Sequence, residues 1–313
     1  MMAHKLWAYM RFTNKGFKVD NFFTFNRVTF IGFGLINSSL ARVFKSKSLA
    51  KEICAYSRRK ETLLKIKDLN IADYIYDDIK ESVENSDLII LGVPVGVMSK
   101  LVKEFASSLK NGAIVTDVGS IKKGILDSIS LVLPKGVHFV PGHPIAGTEN
   151  SGPESGFEGL FKGRWCILTP TEKTPKAAVE KVEFIWKQAG MMVAIMDAEY
   201  HDRVLAITSH IPHLVAYSIV GTVTDLEEQL KTEVIKYSAG GFRDFTRIAA
   251  SDPVMWRDVF LNNSDAVLEM LGRFIEDLTA LQKSIRWKDG QALENLFSKT
   301  RDIRKGIISE EQE

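Results

Sequence analysis

Short apolar runs alternate with segments of helical periodicity over the first half of the chain. The runs are rich in Val, Ile, Leu and Phe and end in turn residues, which predicts buried strands at 28–34, 52–57, 86–95, 112–120, 136–144 and 164–170. The segment after the first run, 35–47, has the apolar spacing of a helix. Strands that alternate with helices are typical of βαβ units, so this half is predicted to be an α/β domain with a parallel sheet.

The pattern changes after Pro175, where strand-like runs become rare. From Asp197 onward the apolar positions recur with a period of about 3.6 residues, which predicts helices almost throughout. The pattern leaves the exact boundary open between 171 and 197. We therefore expect an α/β domain over residues 27–197 and an all-helical domain over residues 198–313.

Length, charge and cysteine content limit the classes to which the protein can belong. At roughly 150 residues per domain, 313 residues suggest two domains. The net charge of +2 provides no field that would favour nucleic acid or an anionic membrane as the partner. No run of 18 consecutive apolar residues exists, so we expect no transmembrane helix. Cys54 and Cys166 are too few and too distant for a disulfide framework or a zinc site, so we expect no metal and a reducing, cytoplasmic setting.

Residues 1–26 are rich in basic residues and lack the continuous apolar core of a signal peptide. A disordered arm, a start codon placed too far upstream and a transit peptide remain open. We expect a poorly ordered N-terminal extension.

A glycine-rich turn joins the first predicted strand to the first predicted helix. The first glycine of a dinucleotide fingerprint permits the tight turn, and the second lets backbone amides approach the pyrophosphate at the start of the helix. Asn37 stands where the third glycine is usual, and a turn that binds nothing is the alternative interpretation. The predicted cofactor-binding residues of this turn are Gly32, Phe33, Gly34, Leu35 and Ile36.

The second strand indicates which cofactor is used. An acid at its end would bind the ribose hydroxyls of NAD, but Ser57 occupies that position. Arg58 and Arg59 follow, and guanidinium groups can pair with a 2′-phosphate, unless the two arginines form the solvated start of the next helix. We therefore expect NADP or NAD, with NADP slightly favoured.

Two polar side chains follow strands further along the chain. Ser120 lies in DVGSIKK and His143 in PGHPIAGTENSG. Ligands bind outside the carboxyl ends of strands in doubly wound sheets, so both side chains are expected to face the nicotinamide crevice. A lone histidine in a turn is more often structural, but two polar groups beside a phosphate-binding turn favour a catalytic pair.

The helical half contains a third polar cluster. Arg243 and Arg247 are four residues apart, hence neighbours on one helix face, and Asp244 and Asp252 are available as ion-pair partners. A purely structural Arg–Asp network therefore remains open. The Gly240–Gly241 pair before it indicates a close approach to the backbone.

Five segments together resemble the prephenate/arogenate (cyclohexadienyl) dehydrogenase family of tyrosine biosynthesis. They are GFGLINSSLA, DVGSIK, GHPIAGTENSG, HDRVLAITSHIPH and GGFRDFTRIAASDPVMW. The resemblance implies an α/β Rossmann-type dinucleotide-binding domain followed by an all-α dimerisation and substrate domain, in a homodimer. It also implies oxidative decarboxylation of prephenate, arogenate or both, with hydride transfer to NAD(P)+, giving 4-hydroxyphenylpyruvate or tyrosine.

The residue chemistry agrees with that reaction. The C4 hydroxyl must lose a proton as hydride departs, and histidine, with an unperturbed pKa of about 6.5, suits the base; His143 fits, with Ser120 to orient it. By the resemblance, Arg247 would hold the ring carboxylate with its guanidinium fork. The same matching places further residues at the side-chain pocket or its mouth: Ser209, His213, Gly240, Thr148 and Glu149.

Two other functions remain open at this point. Another two-domain NAD(P)-dependent hydroxy-acid dehydrogenase would not need the GHPIAGT and GFRDFTRIA segments together. A non-catalytic cofactor-sensing protein would be favoured by loss of the base or of the anion-binding arginine, and both are present. The sequence does not separate prephenate from arogenate as the substrate.

Overall fold

The computed structural model of the chain describes residues 24–148, 150–225 and 228–309. The predicted N-terminal extension, apart from its last residues, lies outside this range. The chain divides into two compact units, one that ends at Asn263 and one that begins at Ser264. The helices that follow the predicted boundary near Asp197 therefore group with the sheet as far as Asn263.

A six-stranded parallel sheet forms the centre of the first unit, in the order β3-β2-β1-β4-β5-β6. The first strand begins at Phe25, three residues before its predicted start at Val28. The sequence pattern did not predict β3, which has only three residues. The strands are β1 Phe25–Ile31, β2 Ala50–Tyr56, β3 Tyr74–Tyr76, β4 Leu88–Leu91, β5 Ile114–Asp117 and β6 His138–Val140.

The strand order reverses between β1 and β4. Ile31 at the end of β1 pairs with Tyr56 on one side and with Leu91 on the other. In open α/β sheets a ligand crevice lies outside the carboxyl ends of the strands at such a switch point. The sheet therefore directs the ends of β1, β4 and β5 toward one crevice.

Helices cover both faces of the sheet and bury its apolar side chains. Val28 and Phe30 belong to one core cluster, and Ile31 and Leu91 belong to a second. The helices of this α/β part are α1 Leu35–Ser46, α2 Lys60–Asp68, α3 Ile79–Val83, α4 Val95–Phe105, α5 Lys123–Ser130 and α6 Lys176–Gln188. Alternating strands and helices confirm the predicted α/β class.

A second, three-stranded sheet follows. Its strands are β7 Gly142–Pro144, β8 Trp165–Leu168 and β9 Met192–Ile195, with β7 antiparallel to β8 and β8 parallel to β9. The prediction of one strand over 136–144 is therefore wrong. Pro141 has no N–H for a ladder, and its carbonyl accepts a hydrogen bond from Thr169, so the chain leaves β6 and joins the second sheet.

The remaining residues are helical. The first unit continues with α7 Ala198–Leu205, a π-helical turn Ala206–His210, α8 Ile211–Thr224, α9 Glu228–Tyr237, α10 Gly240–Thr246, a 3₁₀ turn Arg247–Ala250 and α11 Pro253–Asn262. The second unit consists of α12 Ser264–Arg286 and α13 Gly290–Ser309.

One helical run, Ala198–Val223, is long and apolar enough to cross a membrane, with a mean hydropathy of 1.4. It contains too few consecutive apolar residues to meet the sequence criterion above. Core helices of globular domains meet the same test of length and composition. The run also contains His201 and Asp202, which are buried within the first unit.

Candidate active site

The glycine-rich turn has the geometry that anion binding requires. Gly32 has a φ of +81°, and a Cβ there would lie 2.7 Å from the Gly92 carbonyl oxygen, so only glycine fits. A Cβ at Gly34 would meet no described atom within 4 Å, which leaves its backbone open to a ligand. Gly34 is the N-cap of α1, and that helix has no acidic residue in its first turn. The turn therefore fits a dinucleotide pyrophosphate.

The side chains of the turn stabilise it from within the protein. Phe33 and Leu35 are buried and Ile36 is half-buried, so these residues offer backbone groups to a ligand. Asn37, which replaces the third glycine, donates from Nδ2 to the Gly32 carbonyl at 2.8 Å. It therefore fastens α1 to the turn by a hydrogen bond.

The end of β2 is polar and uncharged. Ser57 follows the strand directly and accepts a hydrogen bond from the Arg59 amide at 3.3 Å. Arg58 and Arg59 are exposed in the loop before α2, and Arg59 is the N-cap of that helix. Both arginines therefore lie in the loop between β2 and α2, and their exposure fits either a cofactor contact or the solvated start of the helix.

A buried ion pair joins the end of β5 to β7. Lys122 and Asp117 form it, with neither side chain exposed, and the Lys122 ammonium also donates to the Gly142 carbonyl at 2.8 Å. Asp117 accepts from the amides of Gly119, at 2.8 Å, and Gly142, at 3.2 Å. The ion pair therefore fixes the loop before Ser120 against the strand that contains His143.

His143 and Ser120 lie on these two connected segments. His143 is in β7 and is 8% exposed, and Ser120 is half-buried between β5 and α5. The sequence interpretation placed His143 in a turn, whereas it pairs with Ile167 of β8. Its position directly beyond the carboxyl end of β5 nevertheless places it at the crevice edge of the sheet.

Sequence reasoning missed the partners of His143. Its Nδ1 lies 2.9 Å from Nε2 of His201, and Nδ1 of His201 lies 2.8 Å from Oδ1 of Asp202. The two carboxylate oxygens of Asp202 also accept from the amides of Lys122, at 2.8 Å, and Lys123, at 2.9 Å. The sequence carried no signal for these partners, because the contact between His201 and His143 spans 58 residues.

The site keeps its histidines neutral. Burial lowers the pKa of His143 well below its ordinary value of 6.5. Electrostatic interactions with three neighbouring groups lower it further: His201, Lys122 and His210. Burial also lowers the pKa of His201, against the opposing effect of Asp202. A neutral imidazole at neutral pH is the form that can accept a proton.

A second histidine group lies on α8 and α11. The His213 ring stacks on the Trp256 ring at 3.6 Å between centroids, and its Nδ1 lies 2.9 Å from the Ser209 carbonyl. Burial lowers the pKa of His213, and the charge of Arg247 lowers it further. Ser209 and His213 are in contact, and the turn that begins at Arg247 packs against α8.

His210 completes this group. Its Nδ1 accepts from the Asn263 amide nitrogen at 3.1 Å, and burial lowers its pKa to about 4. The other predicted residues are more peripheral: Gly240 is exposed at the start of α10, Thr148 is exposed, and Glu149 lies outside the described residues.

Sequence models of two domains match the chain. Residues 40–195 match the prephenate dehydrogenase nucleotide-binding domain, and residues 197–299 match the prephenate dehydrogenase dimerization domain. The chain belongs to the prephenate dehydrogenase family. The family resemblance seen in the sequence is confirmed.

Similar proteins align with nearly the whole chain. A cyclohexadienyl dehydrogenase of Zymomonas mobilis is 39% identical over 280 residues, 90% of this chain and 95% of that protein. A prephenate dehydrogenase of Bacillus subtilis is 35% identical over 277 residues, 88% of this chain and 74% of that protein. A crystal structure of prephenate dehydrogenase from Aquifex aeolicus, in complex with hydroxyphenyl propionate and NAD+, is 34% identical, with a TM-score of 0.84 and coverage of 90% and 98%.

The family settles the class of reaction. The protein is a nicotinamide-dependent oxidoreductase of tyrosine biosynthesis that oxidatively decarboxylates prephenate or arogenate, a small-molecule substrate. The predicted fold class, a Rossmann-type domain followed by a helical one, is confirmed. The alternatives of a general hydroxy-acid dehydrogenase and of a non-catalytic sensor are set aside.

Proposed function

We propose that His143 is the base of this reaction and that Ser120 shares the substrate hydroxyl with it. The observation that carries the proposal is the position of His143, which is buried and neutral at the crevice edge of the sheet. Asp117 and Lys122 tie its strand to the loop before Ser120. A base must lie within hydrogen-bond reach of the proton it takes and have a pKa below the working pH, and His143 has the second property.

One base is enough to balance the protons of the reaction. When bound, the nicotinamide supplies the hydride acceptor. His143 takes the proton as the O–H bond of the C4 hydroxyl breaks, and the hydrogen on C4 leaves with its electron pair. Loss of the ring carboxylate as carbon dioxide then makes the ring aromatic, and His143 returns its proton to the phenol oxygen.

Binding of the substrate carboxylates requires cationic and polar groups. In this proposal Arg247 holds the ring carboxylate through a bidentate, charge-assisted contact. The electrostatic effect of Arg247 on His213 supports a shared pocket on this side. The residues proposed to line the pocket for the substrate side chain or its mouth are Ser209, His213, Gly240, Thr148 and Glu149.

Cofactor choice follows from the end of β2. Ser57 carries no charge to repel a 2′-phosphate, and Arg58 and Arg59 are exposed beside it. A carboxylate at that position would instead bind both ribose hydroxyls of NAD. The proposal is that NADP is accepted at least as well as NAD.

The protein is proposed to act as a homodimer in the cytoplasm. The match of residues 197–299 to a dimerization domain supports the homodimer. Large apolar side chains exposed on α12 and α13 support it further: Leu268, Ile275, Leu278, Ile285, Leu296, Phe297 and Ile303. Cys54 and Cys166 are buried free thiols, which agrees with a reducing compartment.

The test is a two-by-two assay of prephenate or arogenate with NAD or NADP, followed by the absorbance of the reduced cofactor. The expected result is turnover with at least one substrate, release of carbon dioxide, and a kcat/KM for NADP equal to or above that for NAD. Absence of turnover in all four combinations would contradict the proposed reaction. A strong preference for NAD would contradict the proposed role of Arg58 alone.

A further inference from the structure

Three buried side chains form a line from β7 into α7. His143 Nδ1 meets His201 Nε2 at 2.9 Å, and His201 Nδ1 meets Asp202 Oδ1 at 2.8 Å. The three residues are 8%, 0% and 4% exposed, in that order. Water therefore has little access to the two hydrogen bonds between them, and each bond must be satisfied within the line.

Asp202 is fixed as an acceptor at one end of the line. Oδ1 accepts from the Lys122 amide and Oδ2 from the Lys123 amide, both at the start of α5. The Asp202 main-chain carbonyl accepts from the Asn263 side chain at 3.0 Å. Backbone amides donate to both carboxylate oxygens, so the carboxylate has only acceptors to offer His201.

The direction of each hydrogen bond follows from that end. Asp202 can only accept, so the hydrogen of His201 is on Nδ1 and Nε2 of the same ring carries the lone pair. Nε2 of His201 must then accept, so the hydrogen of His143 is on Nδ1. The Nε2 atom of His143 is left with its lone pair, and it makes no hydrogen bond with any of the described residues.

We propose that His201 and Asp202 are positioning residues that fix the tautomer of His143, so that its Nε2 atom receives the proton of the substrate hydroxyl. This inference rests on the proposed function, in which His143 is the base. The proton stays on His143 until it returns to the phenol oxygen, so no proton travels along the line. The O–H bond of the substrate breaks, and an N–H bond forms at Nε2.

The line has a second effect once His143 is protonated. His143 then carries a positive charge in a buried place, near the charge of Lys122. Asp202 is the carboxylate that faces this charge through His201, and Asp117, which is paired with Lys122, is the other acid near His201. Loss of the Asp202 charge should therefore lower the proton affinity of His143.

The central test replaces Asp202 by asparagine, which keeps the shape and removes the charge. Asparagine cannot accept from both the Lys122 and Lys123 amides, and in molecules where its amide nitrogen faces His201, that ring accepts at Nδ1 and donates from Nε2, which forces the hydrogen of His143 onto Nε2. In the Ser-His-Asp triad the same change lowers kcat about 10⁴-fold through the wrong tautomer. We expect kcat of Asp202→Asn to fall by about 10²-fold or more, with KM changed by less than about threefold.

The control is Asp197→Asn, the same chemical change five residues earlier. Asp197 caps α7 by accepting from the amides of Glu199, at 2.8 Å, and Tyr200, at 3.1 Å. Asparagine caps a helix about as well as aspartate. The control should therefore keep the wild-type kcat, and equal losses in both variants would assign the effect to the helix, which overturns the proposal.

A pair of variants at His201 separates hydrogen bonding from packing. The carbonyl of His201→Gln can accept from His143 Nδ1 and preserve the tautomer, whereas His201→Leu cannot. We expect kcat of the glutamine variant to exceed that of the leucine variant by about tenfold or more, the effect of losing a hydrogen bond to a reacting group. Equal kcat values in the two variants would overturn the proposal.

The tautomer can be measured without turnover. In enzyme with ¹⁵N-labelled histidine, nitrogen shifts distinguish the protonated ring nitrogen from the bare one. The proposal expects bare Nε2 on His143 in the wild type and in Asp197→Asn, and a population with protonated Nε2 in Asp202→Asn. A wild-type His143 with bare Nδ1 would overturn it. If the tautomer is as expected but His143→Asn keeps full activity, the proposed function fails and the tautomer assignment stands.

Discussion

Lys122 and Asp117 form an ion pair at the junction of β5 and β7, with both side chains fully buried. The Lys122 ammonium also reaches the Gly142 carbonyl, one residue before His143. Burying two charges is costly, and the compensation is the set of hydrogen bonds that each partner makes. The ion pair therefore fixes the strand that contains His143, the proposed base.

Removing one partner of this pair should destabilise the fold strongly. Lys122→Met leaves the Asp117 carboxylate buried without its counter-ion, which costs about 3–5 kcal/mol of the free energy of unfolding. Lys123→Met is the matched control, because its ion pair with Asp127 is exposed and should matter little. Urea unfolding of the two variants checks this, and similar free energies of unfolding would contradict the account.

Arg247→Ala should weaken substrate binding more than turnover. A charge-assisted hydrogen bond to a carboxylate contributes about 1.5–3 kcal/mol, so KM should rise by about one to two powers of ten. Arg247→Lys keeps the charge without the planar fork and should lie between the wild type and the alanine variant. If KM is unchanged in steady-state assays, Arg247 serves only the structural network of the helical part.

Cofactor discrimination should depend on the two residues after β2. Arg58→Ala is expected to weaken NADP by about 1.5–3 kcal/mol, the scale of a hydrogen bond to a charged group, and to leave NAD nearly unaffected. Ser57→Asp should shift preference toward NAD, because a carboxylate repels the 2′-phosphate. Lys60→Ala, which removes a charge from the first residue of α2, controls for a general electrostatic effect. Ratios of kcat/KM for the two cofactors measure each change, and equal losses in Arg58→Ala and Lys60→Ala would contradict a direct contact.

Acid should destabilise the protein through His210. Burial lowers its pKa from 6.5 to about 4, so between these values the unfolded chain binds a proton that the folded chain does not. The stability is complete above pH 6.5 and declines as the pH falls toward about 4, by up to about 3 kcal/mol from this group.

His210→Gln should remove this part of the pH dependence, because its carbonyl can accept from Asn263 in place of Nδ1. The free energy of unfolding in urea at about pH 7.5 and about pH 5 gives the comparison. We expect the wild type to lose about 2 kcal/mol more than the variant over that interval. Equal losses would show that His210 is not buried neutral.

Elements whose geometry is set by residues close together in the sequence were predictable. Gly32 and Gly34 lie in a turn between a strand and a helix, and each requirement of that turn is met within a few residues. The split of 136–144 into β6 and β7 was not predictable in the same way. It depends on pairing with β8, which begins at Trp165, and the apolar pattern continues across Pro141.

Prediction of the active site has the same limit, because contacts between distant segments are not encoded in a local pattern. The sequence points to His143 and Ser120 because each lies at the end of a predicted strand. It does not point to His201 or Asp202, which in sequence are polar positions of an amphipathic helix. Their role arises from packing that brings α7 against α5 and β7, and no local pattern encodes that contact.

The central claim is that His143 takes the proton from the substrate hydroxyl, and His143→Asn tests it most directly. The measurement is kcat of the variant beside the wild type, with the dissociation constant of the cofactor measured in parallel. The account predicts that kcat falls by about 10²–10⁴-fold, the usual effect of removing a general base, while cofactor affinity is nearly unchanged. A variant that turns over at the wild-type rate would contradict it.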